Sequence, residues 1–303
     1  MNRLLNTGLA AALTATTLLT ACASDLTEDL ADEPVASAAD RLQYRTSPPV
    51  YHGWQQYDGL PGGARDIAGT SYGAWALDNS VFGLAGDVWV NNGIGTSWRQ
   101  KALPQFTSAV AIATNADGDP WVVDLGGNLW KFVQQHNAQD PGHWESLDGP
   151  PGGAQDIAID VANQVWVIGR EFGQDGNIYH YVYDGRNWTW KQVQGVGSKI
   201  AVGWDRRYNE STVYVVNSQN KISELDGGWR SLPGGARDIG VGPDGSIFTT
   251  GTNIPNANDG SIYWWNNAAN DWTVFEGAAK RISVGNRGYP WVVNSYGTVF
   301  RMY

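Results

Sequence analysis

Four histidines (His52, His136, His143 and His180), one cysteine (Cys22) and three carboxylates in near-identical surroundings (Asp66, Asp156 and Asp238) are the groups of this 303-residue chain best suited to chemistry. The histidines fall at unrelated places, without the partner spacing that names a metal, so they are expected to be surface or structural residues. The aspartates recur in three near-copies of one motif: LPGGARDIAG at Leu60–Gly69, PPGGAQDIAI at Pro150–Ile159 and LPGGARDIGV at Leu232–Val241. They therefore belong to separate units rather than to one catalytic pair. No serine nucleophile elbow, phosphate-cradling glycine loop or Cys–His pair is present, and Asp117-Gly118-Asp119 is short of a calcium loop. The reading is non-enzymatic, with no cofactor and no metal.

The elements that would position these residues repeat. Between the three motifs lie looser copies around Ile112, Ile200 and Ile282, and successive isoleucines from Ile67 to Ile282 are 45, 45, 43, 39 and 43 residues apart. A period near forty holding several short strands is the signature of a propeller. Each cycle offers four strands: an Ile-small segment, a segment around an aromatic (Trp75, Trp121, Trp166, Tyr214, Phe248, Trp291), an aliphatic-aromatic pair, and a segment begun by Trp98, Trp144, Trp188, Trp229 or Trp272. The sixth cycle ends at Tyr303 without its fourth strand, and Trp54-Gln55-Gln56-Tyr57 at the other end resembles the missing piece. The expected fold is all-β: a six-bladed propeller over residues 51–303, of four-stranded antiparallel blades, closed by an N-terminal strand completing the C-terminal blade. The residue before each isoleucine is acidic in odd blades and basic in two even ones (Lys199, Arg281), which suggests polar contacts between blades, with a ligand site in the channel as the other reading.

Residues 1–21 read as an export signal, with Arg3 before an apolar stretch. Leu19-Thr20-Ala21-Cys22 resembles a bacterial lipobox. That resemblance implies lipidation at Cys22, and Ala23 after it points to the outer membrane. Residues 22–50 read as a flexible acidic tether. The net charge of −10 comprises −4 in Ala23–Val50, −7 in Tyr51–Tyr303 and +1 from Arg3, which disfavours nucleic acid as a partner.

The alternating units LPGGARDIGVGPDGSIF and RISVGNRGYPWVVNSYGTVFR are similar to tectonin repeats, found in tectonins and in tachylectin-like and fish-egg lectins. The resemblance covers about Trp54 to Tyr303 and implies a carbohydrate-binding propeller, with glycan or lipopolysaccharide as partner and sites repeated at blade edges. On it, Asn217-Ser218, Asn294-Ser295 and Asp124 are candidate ligand contacts. Trp264 and Trp265, outside the regular aromatic ladder like Trp204, are candidate stacking surfaces. An envelope scaffold for protein partners, and a propeller enzyme acting on an extracellular polymer, are the alternatives.

Overall fold

The computed structural model describes residues 52–71, 73–79, 86–93, 97–105, 107–134, 141–171, 175–205, 210–225, 227–255, 258–285 and 287–303, apart from the side chains of 204, 205 and 210. The expected signal, Cys22, the tether and His136 lie outside them. Short runs of β-branched and aromatic residues, cut by glycine turns, form six antiparallel sheets of four strands. Blade 1 is β2 (Ala64–Gly69), β3 (Ala74–Asp78), β4 (Val88–Asn91) and β5 (Arg99–Gln100), and blade 2 is β6 (Ala109–Thr114), β7 (Pro120–Asp124), β8 (Leu129–Val133) and β9 (His143–Leu147). Blade 3 is β10 (Ala154–Ile159), β11 (Val165–Gly169), β12 (Gly176–Tyr183) and β13 (Trp188–Gly197), and blade 4 is β14 (Lys199–Asp205), β15 (Glu210–Val216), β16 (Ile222–Leu225) and β17 (Trp229–Ser231). Blade 5 is β18 (Ala236–Val241), β19 (Ile247–Gly251), β20 (Gly260–Asn266) and β21 (Asp271–Ala279). Blade 6 joins the two ends: β22 (Arg281–Val284), β23 (Pro290–Val293) and β24 (Val299–Met302) are completed by β1 (Trp54–Tyr57), with Trp54 opposite Met302 and Tyr57 opposite Val299. The propeller is closed as the sequence implied.

Three kinds of seam join the blades. At the periphery, Trp144, Trp190, Trp272 and Trp54 donate their indole N–H to Lys101, Asp148, Pro233 and Glu276 carbonyls of the preceding blade at 3.3, 2.7, 2.9 and 2.9 Å, and Trp229 does the same to Gln194. Trp98 takes the sixth place, buried, with its Nε1 unbonded. Where an even blade meets the next odd one, the Pro-Gly-Gly-Ala turn lies against the preceding turn: Ala64, Ala154 and Ala236 donate N–H to Gly297, Gly127 and Asn220 carbonyls at 2.7, 2.8 and 3.0 Å. A Cβ on Gly153 would stand 3.1 Å from backbone atoms of Gly127, and one on Gly63 3.1 Å from Gly297. Both glycines also hold positive φ, as the turn reading required.

Where an odd blade meets the next even one, the axial aspartates make the seam. Asp66, Asp156 and Asp238 accept the backbone N–H of Ile112, Ile200 and Ile282 at 3.3, 2.8 and 3.0 Å. Lys199 Nζ adds a 3.0 Å ion pair to Asp156, and Arg281 attracts Asp238. The channel these strands enclose holds a cavity of about 110 Å³, but its carboxylates already serve neighbouring blades.

The fourth strand of blade 3 begins at Trp188 as expected, while Trp190 makes its clasp and Trp188 stands 57% exposed. One aromatic expectation needs correction. Trp264 and Trp265 are not exposed: they are 1% and 3% accessible, because adjacent strand residues point to opposite faces and blade 5 is covered on both. Trp264 packs with Ile282, Val284 and Val292 of blade 6, and Trp265 with Tyr214 and Val216 of blade 4. In blade 4, β14 and β15 pair as far as Trp204 with Ser211 and Asp205 with Glu210.

Gly152→Ala, where a Cβ meets open space, is expected to cost about 1 kcal/mol for its left-handed backbone. Gly153→Ala adds a 3.1 Å approach to the Gly127 backbone, tighter than ordinary contact, and should cost more, about 2 kcal/mol in urea denaturation; equal losses would remove the packing role. A second expectation concerns pH. Burial pushes Asp238 up to about 6 against the pull of Arg281 and Lys199. His180, stacked on Trp166 at 3.9 Å, is lowered to about 4 by burial and by Lys191. Asp238 thus contributes stability that is complete below its unfolded pKa near 3.8 and lost as pH rises through 6. His180 contributes stability that is present above 6.5 and lost as pH falls through about 4. Asp238→Asn should remove this one opposing contribution, so that unfolding free energy climbs with pH from 4 to 6 more steeply than in wild type, by up to about 1.4 kcal/mol per unit. An unchanged slope would contradict it.

Candidate functional site

The turns between first and second strands lie at one end of the blades, and those between second and third strands at the other. At the first end, Asn115 Oδ1 accepts Asp119 N–H at 2.8 Å, and Asp160 Oδ1 accepts Ala162 and Gln164 N–H at 2.9 Å each. Asn163, at φ 60°, accepts Ala116 N–H at 3.1 Å and ties the blade 3 turn to that of blade 2. Between these blades opens a cavity of about 270 Å³. Trp121 and Lys131, cross-strand neighbours, line it on the blade 2 side with Gln134; Ile159 and Val165 line it on the other. Asn115, Asp119 and Asn163 stand at its rim.

The wall continues outward along blade 3. Val165 pairs with Tyr181, Tyr181 with Trp190, and Tyr183 with Trp188. Period-two alternation puts all of these on one face, the face toward blade 2, where Tyr181 and Trp190 cluster with Trp121 and Leu147. Tyr181 stacks on Trp188 (5.2 Å, 18°) and lies 4.8 Å from Trp190, while Tyr183 is 5.7 Å from Trp188. Asp184 Oδ1 accepts Arg186 and Asn187 N–H at 2.8 and 2.7 Å and so shapes the hairpin tip. Tyr183 and Trp188 are each 57% exposed, a shelf of two rings supported from below.

Across the cleft, Lys131 Nζ lies 3.4 Å from Glu145 and His143 Nε2 3.3 Å from the same carboxylate. Burial, and then Asp148, raises the Tyr181 hydroxyl, which stays protonated at neutral pH. Rings that can stack on an apolar face thus stand beside amides, carboxylates and an ammonium that can exchange hydrogen bonds. Among the described residues, no three His, Cys, Asp or Glu side chains converge in a way that could hold a metal ion.

The polar residues expected as ligand contacts lie at the opposite end of the blades. Asn217 Oδ1 accepts Gln219 and Lys221 N–H at 3.1 and 2.9 Å, and Asn294 Oδ1 accepts Tyr296 and Thr298 N–H at 3.0 and 2.9 Å. Ser218 N–H and Oγ both donate to Asp175 of blade 3 (2.6 and 3.0 Å), and Ser295 does the same to Asp259 of blade 5 (2.6 and 3.1 Å). Asp124 is buried, accepting Asn128 N–H at 2.8 Å and Trp130 Nε1–H at 3.0 Å. These groups close turns and seams, and the structure does not bring them to the cleft. Sequence reasoning passed over Tyr183 and Trp188; the available signal was Trp188-Thr189-Trp190, two indoles on one strand face in the cycle's fourth segment.

No curated protein matches the chain. Among solved structures, a structural genomics protein of unknown function from Bacteroides thetaiotaomicron aligns with TM-score 0.58 and 10% identity, covering 83% of this chain and 72% of that one. Virginiamycin B lyase from Staphylococcus aureus aligns with TM-score 0.52, 12% identity and coverage of 82% and 98%. The WD40 β-propeller domain of Doa1 gives 0.51, 12%, and 83% and 97%. At such identities the likeness extends to the fold alone. The Tectonin domain model matches residues 207–303, which take in β15 to β24. The chain is thus a six-bladed β-propeller, and its residues 207–303 match the Tectonin domain model.

Proposed function

We propose that this protein is a non-enzymatic carbohydrate-binding lipoprotein of the bacterial cell envelope, anchored through Cys22, and that it holds glycan or lipopolysaccharide in the cleft between blades 2 and 3. One observation carries the reading: two exposed rings, Tyr183 and Trp188, continue the wall of a cavity rimmed by Asn115, Asp119 and Asn163 and lined by Lys131. A sugar presents a weakly polar C–H face and a girdle of hydroxyls, which suit rings and planar polar groups in that order. The Tectonin match and the propeller fold are in keeping with this role. Cys22 would supply the lipid anchor and residues 22–50 the reach.

On an array of glycans and lipopolysaccharides, the purified full chain is expected to bind, to keep binding in EDTA and to release no product. Failure to bind any of them would overturn the carbohydrate reading. Cys22→Ala should move the protein from the membrane fraction to the soluble one; a variant that stays with the membrane would overturn the anchor.

A further inference from the structure

The outer hairpins of blades 3 and 5 are built alike up to one row. Trp190 and Trp272 make the same clasp to the preceding blade, so the pair Tyr181–Trp190 corresponds to Trp265–Trp272. One row further, Val182–Thr189 corresponds to Asn266–Asp271, and there blade 5 turns back. Blade 3 adds the row Tyr183–Trp188, which has no counterpart in blade 5. The blade 5 hairpin is also closed where blade 3 is open: Trp265 is 3% exposed and bonds Asn267 at 2.9 Å. Among the described residues, Tyr183 and Trp188 are the one pair of exposed Phe, Tyr or Trp rings in contact with each other.

Resting on the carbohydrate reading above, we propose that the cleft is a single extended site for a linear oligosaccharide, rather than one of six equivalent monosaccharide sites around the ring. From Val165 in the cavity wall to Trp188 on the shelf, the path crosses two strand spacings and runs two residues along the strand. This is on the order of 12 Å. One pyranose ring cannot touch both ends. A chain with one unit beside Trp121 and Lys131 and a later unit on Tyr183 and Trp188 can do so, and the shelf is already stacked on Tyr181 before a ligand arrives, so little ordering is left to oppose binding. Sequence symmetry would give six modest sites whose strength comes from multivalency; an extra row on one blade concentrates contact in one cleft.

Isothermal titration of the full chain with cello-, chito-, xylo-, manno- and malto-oligosaccharides of one to six units tests this. For the series that binds, the expected stoichiometry is one per chain, with affinity rising from one unit to at least three. Trp188→Ala and Tyr183→Ala, both at exposed positions, should weaken the tetrasaccharide about tenfold and the monosaccharide by less, flattening the dependence on length. Lys131→Ala should weaken both. A stoichiometry above one, an affinity indifferent to length, or shelf variants that bind the tetrasaccharide normally would each overturn the extended site while the carbohydrate reading stood. Absence of binding in all five series overturns the site for these linear chains, and absence on the glycan and lipopolysaccharide array as well removes the reading itself.

Discussion

A ring of sheets leaves one edge that no further strand can cover. The inner strand of every blade turns backbone N–H groups toward the axis, and a buried N–H without a partner is costly. At three of the six seams the answer is a carboxylate from the preceding blade: Asp66, Asp156 and Asp238 reach across to Ile112, Ile200 and Ile282. The two buried carboxylates, Asp156 and Asp238, need compensation in turn, which Lys199 and Arg281 provide, while Ala111 stands in the corresponding place beside the half-buried Asp66. The chemistry most conspicuous in the chain is therefore spent on holding the ring together.

Because these acids occupy only odd blades, the repeating unit is a pair of blades, used three times. Within the pair the seam is carboxylate to backbone; between pairs it is backbone to backbone, with glycine allowing the chains to touch. The two devices account for the alternation of tight and loose motif copies. Packing each blade between two others buries both of its faces, which is why Trp264 and Trp265, adjacent in sequence, can both vanish from the surface.

The cleft between blades 2 and 3 departs from this symmetry. The cleft uses the same turns and strand faces found all around the ring, but its outer wall comes from a hairpin one row longer than its equivalent in blade 5. A propeller tolerates such additions because the outer strand's tip faces solvent and burdens no neighbour. At the other end of the blades, two seams, Ser218 to Asp175 and Ser295 to Asp259, and the blade 2 turn at Asp124 took up the repeated polar residues.

The sequence alone determined the blade count, the four-strand cycle, the ring closure through Trp54–Tyr57 and the glycine turns. Each of these rests on local periodicity and on the need to cover a sheet edge. It also indicated polar contacts at the axis, since charge alternated with the repeat. Only the tertiary structure decided which aromatic residues are walls and which are surface. Trp188 and Trp190 read alike by type and strand face, as do Trp264 and Trp265 by type. Whether a ring is covered depends on how far its hairpin projects past the neighbouring blade, a relation between segments distant in sequence. For the same reason Asn217, Ser218, Asn294 and Ser295 resembled a binding pattern on paper: the Asp175 and Asp259 carboxylates that engage the serines come from the adjacent blade.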